Sequence, residues 1–178
     1  TERALAHADR SVANTPELAQ KTLIMLNPAL CPFGTYFPVY RAAHGGELPA
    51  AFRFLADGES PLTVERVDDH TLRLRPEAGF LSSAPQRVYR RQRPFQQGER
   101  IALSDMSFTV SEVRADGRPA EVLVRLDKRL EDPSLQWLRW GKNAYVPFAL
   151  PKLGERVVLP KIEAIPLLFD ATEPNKDG

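Results

Sequence analysis

Between Ala51 and about Pro160, apolar and polar residues alternate along short runs of the chain. The runs are interrupted at intervals of about eight to twelve residues, mostly by Gly, Pro or Asp. Successive side chains of a β-strand point to opposite faces, so this alternation predicts strands with one buried and one solvated face. The interrupting residues suit tight turns. We therefore expect an all-β fold, either an antiparallel β-sandwich or a partly closed barrel, with a short N-terminal helix.

About nine or ten strands are predicted from this pattern. The clearest are residues 62–67 and 71–75, which form a hairpin around Asp68-Asp69. A second hairpin is predicted around Gly141. The apolar side of the first hairpin is expected to carry Leu62, Val64, Leu72 and Leu74, with Val67 as a further candidate. The other predicted strands cover residues 50–56, 87–91, 100–103, 106–113, 120–126, 137–140, 145–150 and 156–159.

Two segments of different character flank the β region. We expect residues 1–48 to form an N-terminal arm with a short helix and an aromatic loop, and residues 162–178 to form a tail whose end is disordered, with the β domain between them at 49–161. Thr15 is a candidate N-cap, and Pro16 suits the first turn of a helix. That helix either continues to about residue 26 or gives way to a buried strand over residues 21–26, and periodicity does not distinguish the two.

The chain has 178 residues, of which 43% are hydrophobic and 26% are charged, so it can form one domain with a proper core. Its 24 basic and 23 acidic residues leave a net charge of +1. Proteins dedicated to nucleic acids usually carry a strong basic excess, so we expect no sequence-specific nucleic-acid partner. No apolar run approaches the roughly 18 residues that cross a bilayer, and no signal peptide is visible. Because Thr1 is not a methionine, we expect a mature product or, preferably, a piece of a longer chain.

Residues that could carry catalysis or bind a metal are scattered. The three histidines, His7, His44 and His70, are far apart, and none belongs to a paired-histidine motif. The compact trio Asp68-Asp69-His70 is better explained as a hairpin turn than as a metal site. Cys31 is the single cysteine, so no intramolecular disulfide can form, and a buried thiol is expected. We therefore predict no catalytic residue, no metal site and no cofactor.

A basic cluster is the strongest local feature of the chain. It consists of Arg87, Arg90, Arg91 and Arg93, with Arg100 a few residues further on. Aromatic residues are interleaved with these arginines. Guanidinium groups bind phosphate and carboxylate groups bidentately, which predicts a site for an anionic ligand. The competing interpretation is a solvated strand edge whose charges prevent aggregation.

The densest aromatic set is Trp137 and Trp140 with Tyr145 and Phe148. An odd separation places two residues of a strand on opposite faces, so one tryptophan is expected in the core and the other at the surface or an interface. An exposed tryptophan beside Arg139 would suit a sugar ring or a membrane surface. The competing interpretation is that the set packs in the core and covers one end of the sandwich.

Seven short segments distributed over most of the chain carry a resemblance: Ala8–Ser11, Val12–Leu18, Leu26–Pro28, Tyr40–Ala43, Arg93–Phe95, Asp116–Pro119 and Leu130–Ser134. In these segments the chain resembles the soluble C-terminal domain of large, uncharacterised bacterial polytopic membrane proteins. The resemblance implies a domain that is tethered to a membrane rather than free in the cytoplasm, and the outer side of the membrane is the expected one. It implies no particular activity and no functional residues.

Three functions remain open from the sequence. We favour a non-enzymatic accessory or interaction domain of a larger, membrane-associated protein, whose partner is the rest of that chain, another protein or an anionic ligand. The second is an enzyme of hydrolase or lyase type, with a site assembled from dispersed residues and an arginine. The candidate residues for that site are Asp68, His70, Asp105 and Glu131. The third is an adaptor that pairs with a strand of another protein at a sheet edge.

Overall fold

The computed structural model describes residues 2–28, 36–82, 93–142 and 144–163. Within these ranges the chain forms two stacked β-sheets and a few short helices, and no barrel closes. The predicted all-β, sandwich-like fold is therefore confirmed. The predicted strand at 87–91 and Cys31 lie outside the described residues.

The helices and strands are short, and most ends predicted within the described ranges agree to within two residues. The helices are α1 (Glu2–Arg10), a 3-10 helix (Pro16–Gln20) and α2 (Phe37–Ala43). The strands are β1 (Thr22–Met25), β2 (Ala51–Phe54), β3 (Leu62–Arg66), β4 (Thr71–Pro76), β5 (Arg100–Ala102), β6 (Met106–Val113), β7 (Pro119–Leu126), β8 (Leu135–Trp140), β9 (Tyr145–Pro147) and β10 (Arg156–Leu159).

The larger sheet has six strands in the order β10-β3-β4-β7-β6-β5, each antiparallel to its neighbour. Val64 lies opposite Leu74 in the predicted β3–β4 hairpin, and both side chains are buried. Val67 follows the end of β3 and is exposed. One face of this sheet packs in the core and the other meets solvent. This arrangement explains why apolar and polar residues alternate along its strands in the sequence.

The smaller sheet has four strands in the order β2-β1-β8-β9. Strand β1 runs parallel to both β2 and β8, whereas β9 is antiparallel to β8 and completes the hairpin predicted around Gly141. Parallel neighbours cannot be joined by a tight turn, and the β1–β2 connection accordingly contains α2. This sheet is therefore mixed, although alternation alone suggests antiparallel neighbours.

Strand β1 is covered on both sides. Ile24 and Trp137 face the six-stranded sheet, whereas Leu23 and Met25 pack with residues of α1 and α2. The three aliphatic residues of β1 have 0% exposure. A strand that is buried on both faces reads as a continuous apolar run rather than as an alternation.

This burial decides between the two alternatives left open for residues 16–26. The 3-10 helix ends at Gln20, and a buried strand follows directly. That strand comes from the segment predicted as an N-terminal arm and pairs with β2 and β8 on either side. The predicted boundary between the N-terminal arm and the β domain, near residue 48, therefore separates two strands, β1 and β2, that are neighbours in one sheet.

Helix α2 begins within the segment predicted to be an irregular aromatic loop. Pro38 lies in its first turn, where the missing N–H costs no intrahelical hydrogen bond. Phe37 is buried and packs edge-on against Phe52, with ring centroids 5.7 Å apart. Among the helices of the described residues, none combines the length and apolar character that crossing a bilayer would require.

Candidate functional site

The predicted anion-binding cluster precedes β5 in the chain. Three of its members lie outside the described residues: Arg87, Arg90 and Arg91. Arg93 is described, and it is exposed. The chain then passes the β6–β7 turn, where the Phe95 amide donates to the Gly117 carbonyl at 3.1 Å. Arg93 therefore lies close to this turn, and the chain then continues into β5.

Alternating arginines and glutamates cross the solvent-facing side of this sheet. From β10 to β6 they are Arg156, Glu65, Arg73, Glu121, Arg75 and Glu112, which we call the arginine–glutamate ladder. Arg156 Nε lies 2.8 Å from one carboxylate oxygen of Glu65, and Arg73 Nη1 lies 2.9 Å from the other. Glu65 therefore joins β10 to β4 through its own strand, β3.

Arg75 completes the ladder at the other end. Its Nη2 lies 3.0 Å from Glu121 Oε2 and also contacts Glu112. These two glutamates are direct neighbours across β6 and β7, a placement that is unfavourable for like charges. The Glu112 contact, with that of Glu121, raises the pKa of Arg75. A cation held between the two carboxylates offsets their repulsion.

All members of the ladder except Glu112 line a shallow depression of about 250 Å³, together with Thr63. Arg73 Nε lies 3.3 Å from Glu121 Oε1, an ion pair without a hydrogen bond. Because three arginines and three glutamates contact one another, the charges of the ladder balance internally. These ion pairs connect neighbouring strands. They also leave little net charge on this face to attract a ligand.

Arg93 and Arg100 differ from the arginines of the ladder. No ion pair joins either guanidinium to a carboxylate of the described residues, and Arg100 Nη2 donates only to Ser107 Oγ, at 3.2 Å. Both residues are exposed. Glu99 precedes Arg100 and accepts a hydrogen bond from the Gln96 amide. Unlike the arginines of the ladder, these two guanidinium groups are therefore not paired with a carboxylate of the described residues.

The trio Asp68-Asp69-His70 forms the turn between β3 and β4, as its composition predicts. Asp68 Oδ1 accepts a hydrogen bond from the His70 amide at 2.7 Å. The Leu130 amide donates to the Asp69 carbonyl at 2.8 Å, which places the β7–β8 loop against this turn. The turn is thus held by its own Asp side chain and by a distant loop.

Arg66 links the same turn to Glu131. Its Nη2 lies 3.0 Å from Asp69 Oδ1, and its Nη1 contacts the Glu131 carboxylate. The hydrogen bond from Arg66 holds the pKa of Glu131 below its ordinary value of 4.5. Several of the dispersed candidate residues are therefore brought to one end of the molecule.

The electrostatics of this end favour charged carboxylates. Burial alone would raise the pKa of Asp68, but hydrogen bonds from the His70 amide and from Thr71, with the charge of Arg125, hold it below 3.8. His70 Nδ1 lies 3.3 Å from the Leu126 carbonyl oxygen. Carboxylates kept ionised in this way cannot serve as general acids near neutral pH.

Asp105, the remaining catalytic candidate, is engaged elsewhere. Its Oδ1 accepts hydrogen bonds from Arg53 Nε at 3.0 Å and Arg53 Nη2 at 2.8 Å. This contact joins β2 of one sheet to the β5–β6 turn of the other. In the part of the chain that the structure describes, no three side chains of His, Cys, Asp or Glu converge as metal ligands would.

Trp137 and Trp140 do not form an aromatic surface. They lie on opposite faces of β8, as their spacing predicts, but their exposures are only 7% and 5%. The expectation that one of them is exposed is wrong, because helices cover the second face of the four-stranded sheet. Trp137 Nε1 donates to the Leu130 carbonyl at 2.7 Å, and Trp140 packs edge-on against Tyr145.

A deeply buried charge, Arg41 of α2, is not apparent from the sequence. It is 1% exposed, and its Nη1 lies 2.6 Å from Asp9 Oδ1. Its Nη2 and Nε donate to the carbonyls of Ala13 and Glu47 at 2.8 and 2.7 Å. Asp9 is 32 residues away in the chain, so no local pattern marks the pair, although both residues fall in segments that carry the resemblance. With its donors used internally, Arg41 serves the fold.

Comparison of the chain with family models, curated proteins and solved structures finds no match. A function therefore has to be inferred from the residues of this chain itself.

Proposed function

We propose that this chain is a non-enzymatic interaction domain of a larger, membrane-associated protein, and that it binds an acidic protein partner at the arginines that precede β5. The proposed binding residues are Arg87, Arg90, Arg91, Arg93 and Arg100. Membrane association rests on the resemblance of the sequence alone. The binding site rests on one structural observation, the difference in charge pairing between Arg93 and Arg100 on one side and the arginines of the ladder on the other.

Arginines in the middle of the six-stranded sheet, such as Arg73 and Arg75, contact glutamates on neighbouring strands. Arg100 on β5, and Arg93, which precedes it in the chain, have no such partner among the described carboxylates. An exposed guanidinium without an internal partner is available to form a bidentate contact with a carboxylate of another molecule. A group of them also steers an acidic partner toward the surface at long range.

An enzymatic function receives less support. Groups that transfer protons in catalysis usually have pKa values moved toward neutral pH. The pKa values of Asp68 and Glu131 are instead shifted downward, and arginines contact both side chains. An interaction domain requires no such tuning.

Binding to fluorescent poly-L-glutamate, measured by anisotropy at low and high salt, tests this proposal. We expect salt-sensitive binding, because exposed charges are screened within about 8 Å at physiological ionic strength. Two variants reverse charge at the site, Arg90→Glu with Arg91→Glu, and Arg93→Glu with Arg100→Glu. Each is expected to weaken binding by about tenfold or more, since like charges then face the ligand.

The matched control reverses two exposed lysines near β10, Lys152→Glu with Lys161→Glu, and so changes the net charge equally. If this control weakens binding as much as the arginine variants do, the net charge is responsible and the proposed site is wrong. Stronger binding to phosphatidylserine vesicles than to polyglutamate, lost in the same arginine variants, would replace the acidic protein by a membrane surface.

A further inference from the structure

The edges of the two sheets are protected to different degrees. Pro147 lies within β9, and Pro160 directly follows β10, so each of these edges has a residue that cannot donate a backbone hydrogen bond. All residues of β2 are at least partly buried. Strand β5 differs: among the described strands it pairs with β6 alone, all three of its residues are exposed, and residues 97–106 contain no proline. Natural edges are usually blocked, so an open edge suggests a use.

The pairing of β5 with β6 determines which backbone groups remain open. The Leu103 amide donates to the Met106 carbonyl at 2.8 Å, and the Val110 amide donates to the Glu99 carbonyl at 2.9 Å. Hydrogen-bonded and non-hydrogen-bonded pairs alternate along an antiparallel ladder. The Glu99 carbonyl and the backbone groups of Ile101 and Leu103 therefore point to β6, whereas those of Arg100 and Ala102 point away from the sheet.

The two faces of this edge have different chemistry. Ile101 lies opposite Phe108, which packs against the core, and it is 37% exposed; Leu103 is 47% exposed. Arg100 lies on the other face, opposite Thr109, and has no carboxylate partner among the described residues. An added strand would thus meet apolar side chains on one face and an unbalanced positive charge on the other.

From these observations we infer that the acidic partner binds as an extended segment that adds to β5 as a seventh strand of the larger sheet. This inference rests on the proposed function and specifies how its partner binds. The segment alternates apolar and acidic residues. Its backbone pairs with the open groups of Arg100 and Ala102, its apolar side chains cover Ile101 and Leu103, and its acidic side chains contact Arg100.

A peptide of alternating glutamate and valine is the probe for this mode of binding. On binding, the Arg100 and Ala102 amides should exchange more slowly with solvent, while the Leu103 amide, already bonded to β6, should change little. Ala102→Pro removes one open donor without touching the β6 pairing, and Ala102→Ser keeps that donor. We expect the proline variant to bind about tenfold more weakly than the serine variant, at similar thermal stability.

Peptide variants separate strand addition from simple attraction of charges. The same peptide N-methylated at every residue keeps its charge but loses all its backbone donors, and it should bind weakly. If the methylated peptide and the proline variant both bind normally and with salt sensitivity, strand addition is wrong while the acidic-partner proposal stands. If polyglutamate binds and the alternating peptide does not, strand addition is likewise wrong. If neither binds, both proposals fail.

Discussion

At the scale of single residues, the buried Arg41 is the clearest case in which a charged side chain organises the backbone. Its guanidinium donates hydrogen bonds to carbonyl groups of the segment after α1 and of residue 47, and it forms an ion pair with Asp9. Gly46 lies so close that an added Cβ would come within 2.7 Å of Arg41 Cγ. The α1–α2 arrangement therefore depends on one guanidinium and on a small neighbour that makes room for it.

We predict that Arg41→Met lowers the free energy of unfolding by about 3–5 kcal/mol, because Asp9 and several carbonyls lose their buried donor. Arg41→Lys should recover only part of this loss, since an ammonium cannot reproduce the planar fork. Urea unfolding measures both variants. Arg10→Met, at an exposed residue ending α1, is the control. A loss for Arg41→Met no larger than for this control would show that the buried network contributes little.

At the scale of secondary-structure elements, the arginine–glutamate ladder connects five adjacent strands on the face without a covering layer. Each of its contacts crosses from one strand to a neighbour or to a second neighbour. Glu65 is its most shared member, because its two oxygens accept from Arg73 on β4 and from Arg156 on β10. The side chain of Glu65 is only 15% exposed, so its contacts are better shielded than those of a fully solvated pair.

We predict that Glu65→Gln lowers the free energy of unfolding by about 1–3 kcal/mol, since two hydrogen bonds lose their charged acceptor. Denaturant unfolding checks this, with the exposed Glu163→Gln as the matched control. High salt should reduce the contribution of the exposed Arg156 more than that of Arg73. Equal stability of the two glutamine variants would mean that the ladder does not stabilise the sheet.

At the scale of the whole molecule, the resolved pKa shifts of the carboxyl groups all have the same direction. Within the described part of the chain, every carboxyl group with a resolved shift has a lowered pKa: Glu17, Asp68, Asp116, Glu131 and Asp132. For Glu131 and Asp116 the main cause is a hydrogen bond from an arginine. A carboxyl whose pKa is lower in the folded state takes up a proton more readily when the chain unfolds.

We therefore predict that stability is greatest above the ordinary carboxyl values of 3.8 to 4.5 and falls as the pH drops below them. The midpoint of urea unfolding, measured from pH 7 to about pH 2, tests this, because the unfolded chain binds more protons over that interval. Arg66→Gln should flatten the slope by removing the main cause of the Glu131 shift. Stability that rises on acidification would contradict the assignment.

The sequence predicts the larger sheet far better than the smaller one. In β3 and β4, one face is buried and the other is solvated, so apolar and polar residues alternate along the sequence. Strand β1 is covered on both faces and loses that alternation, which is why a helix remained an alternative for the same residues. Helix α2 is short and contains Pro38, and local propensity did not separate it from a loop.

The candidate site, too, is predicted from the sequence only in part. The sequence identifies a basic cluster and predicts that Trp137 and Trp140 point to opposite faces, since both statements need only residue order. It does not show that the second face is covered, which buries both rings. Nor does it show which arginines find carboxylates, because partners such as Arg53 and Asp105 are 52 residues apart.

By itself, then, the sequence determined the fold class, most strands of the six-stranded sheet and the presence of excess arginine before β5. Only the tertiary structure decided that β1 is central, that Arg41 is buried and that Arg93 and Arg100 lack the carboxylate partners of the ladder. The physical reason is that alternation records local burial, one residue at a time. Charge pairing and coverage depend instead on strand register and layer stacking, which bring together residues that are distant in the chain.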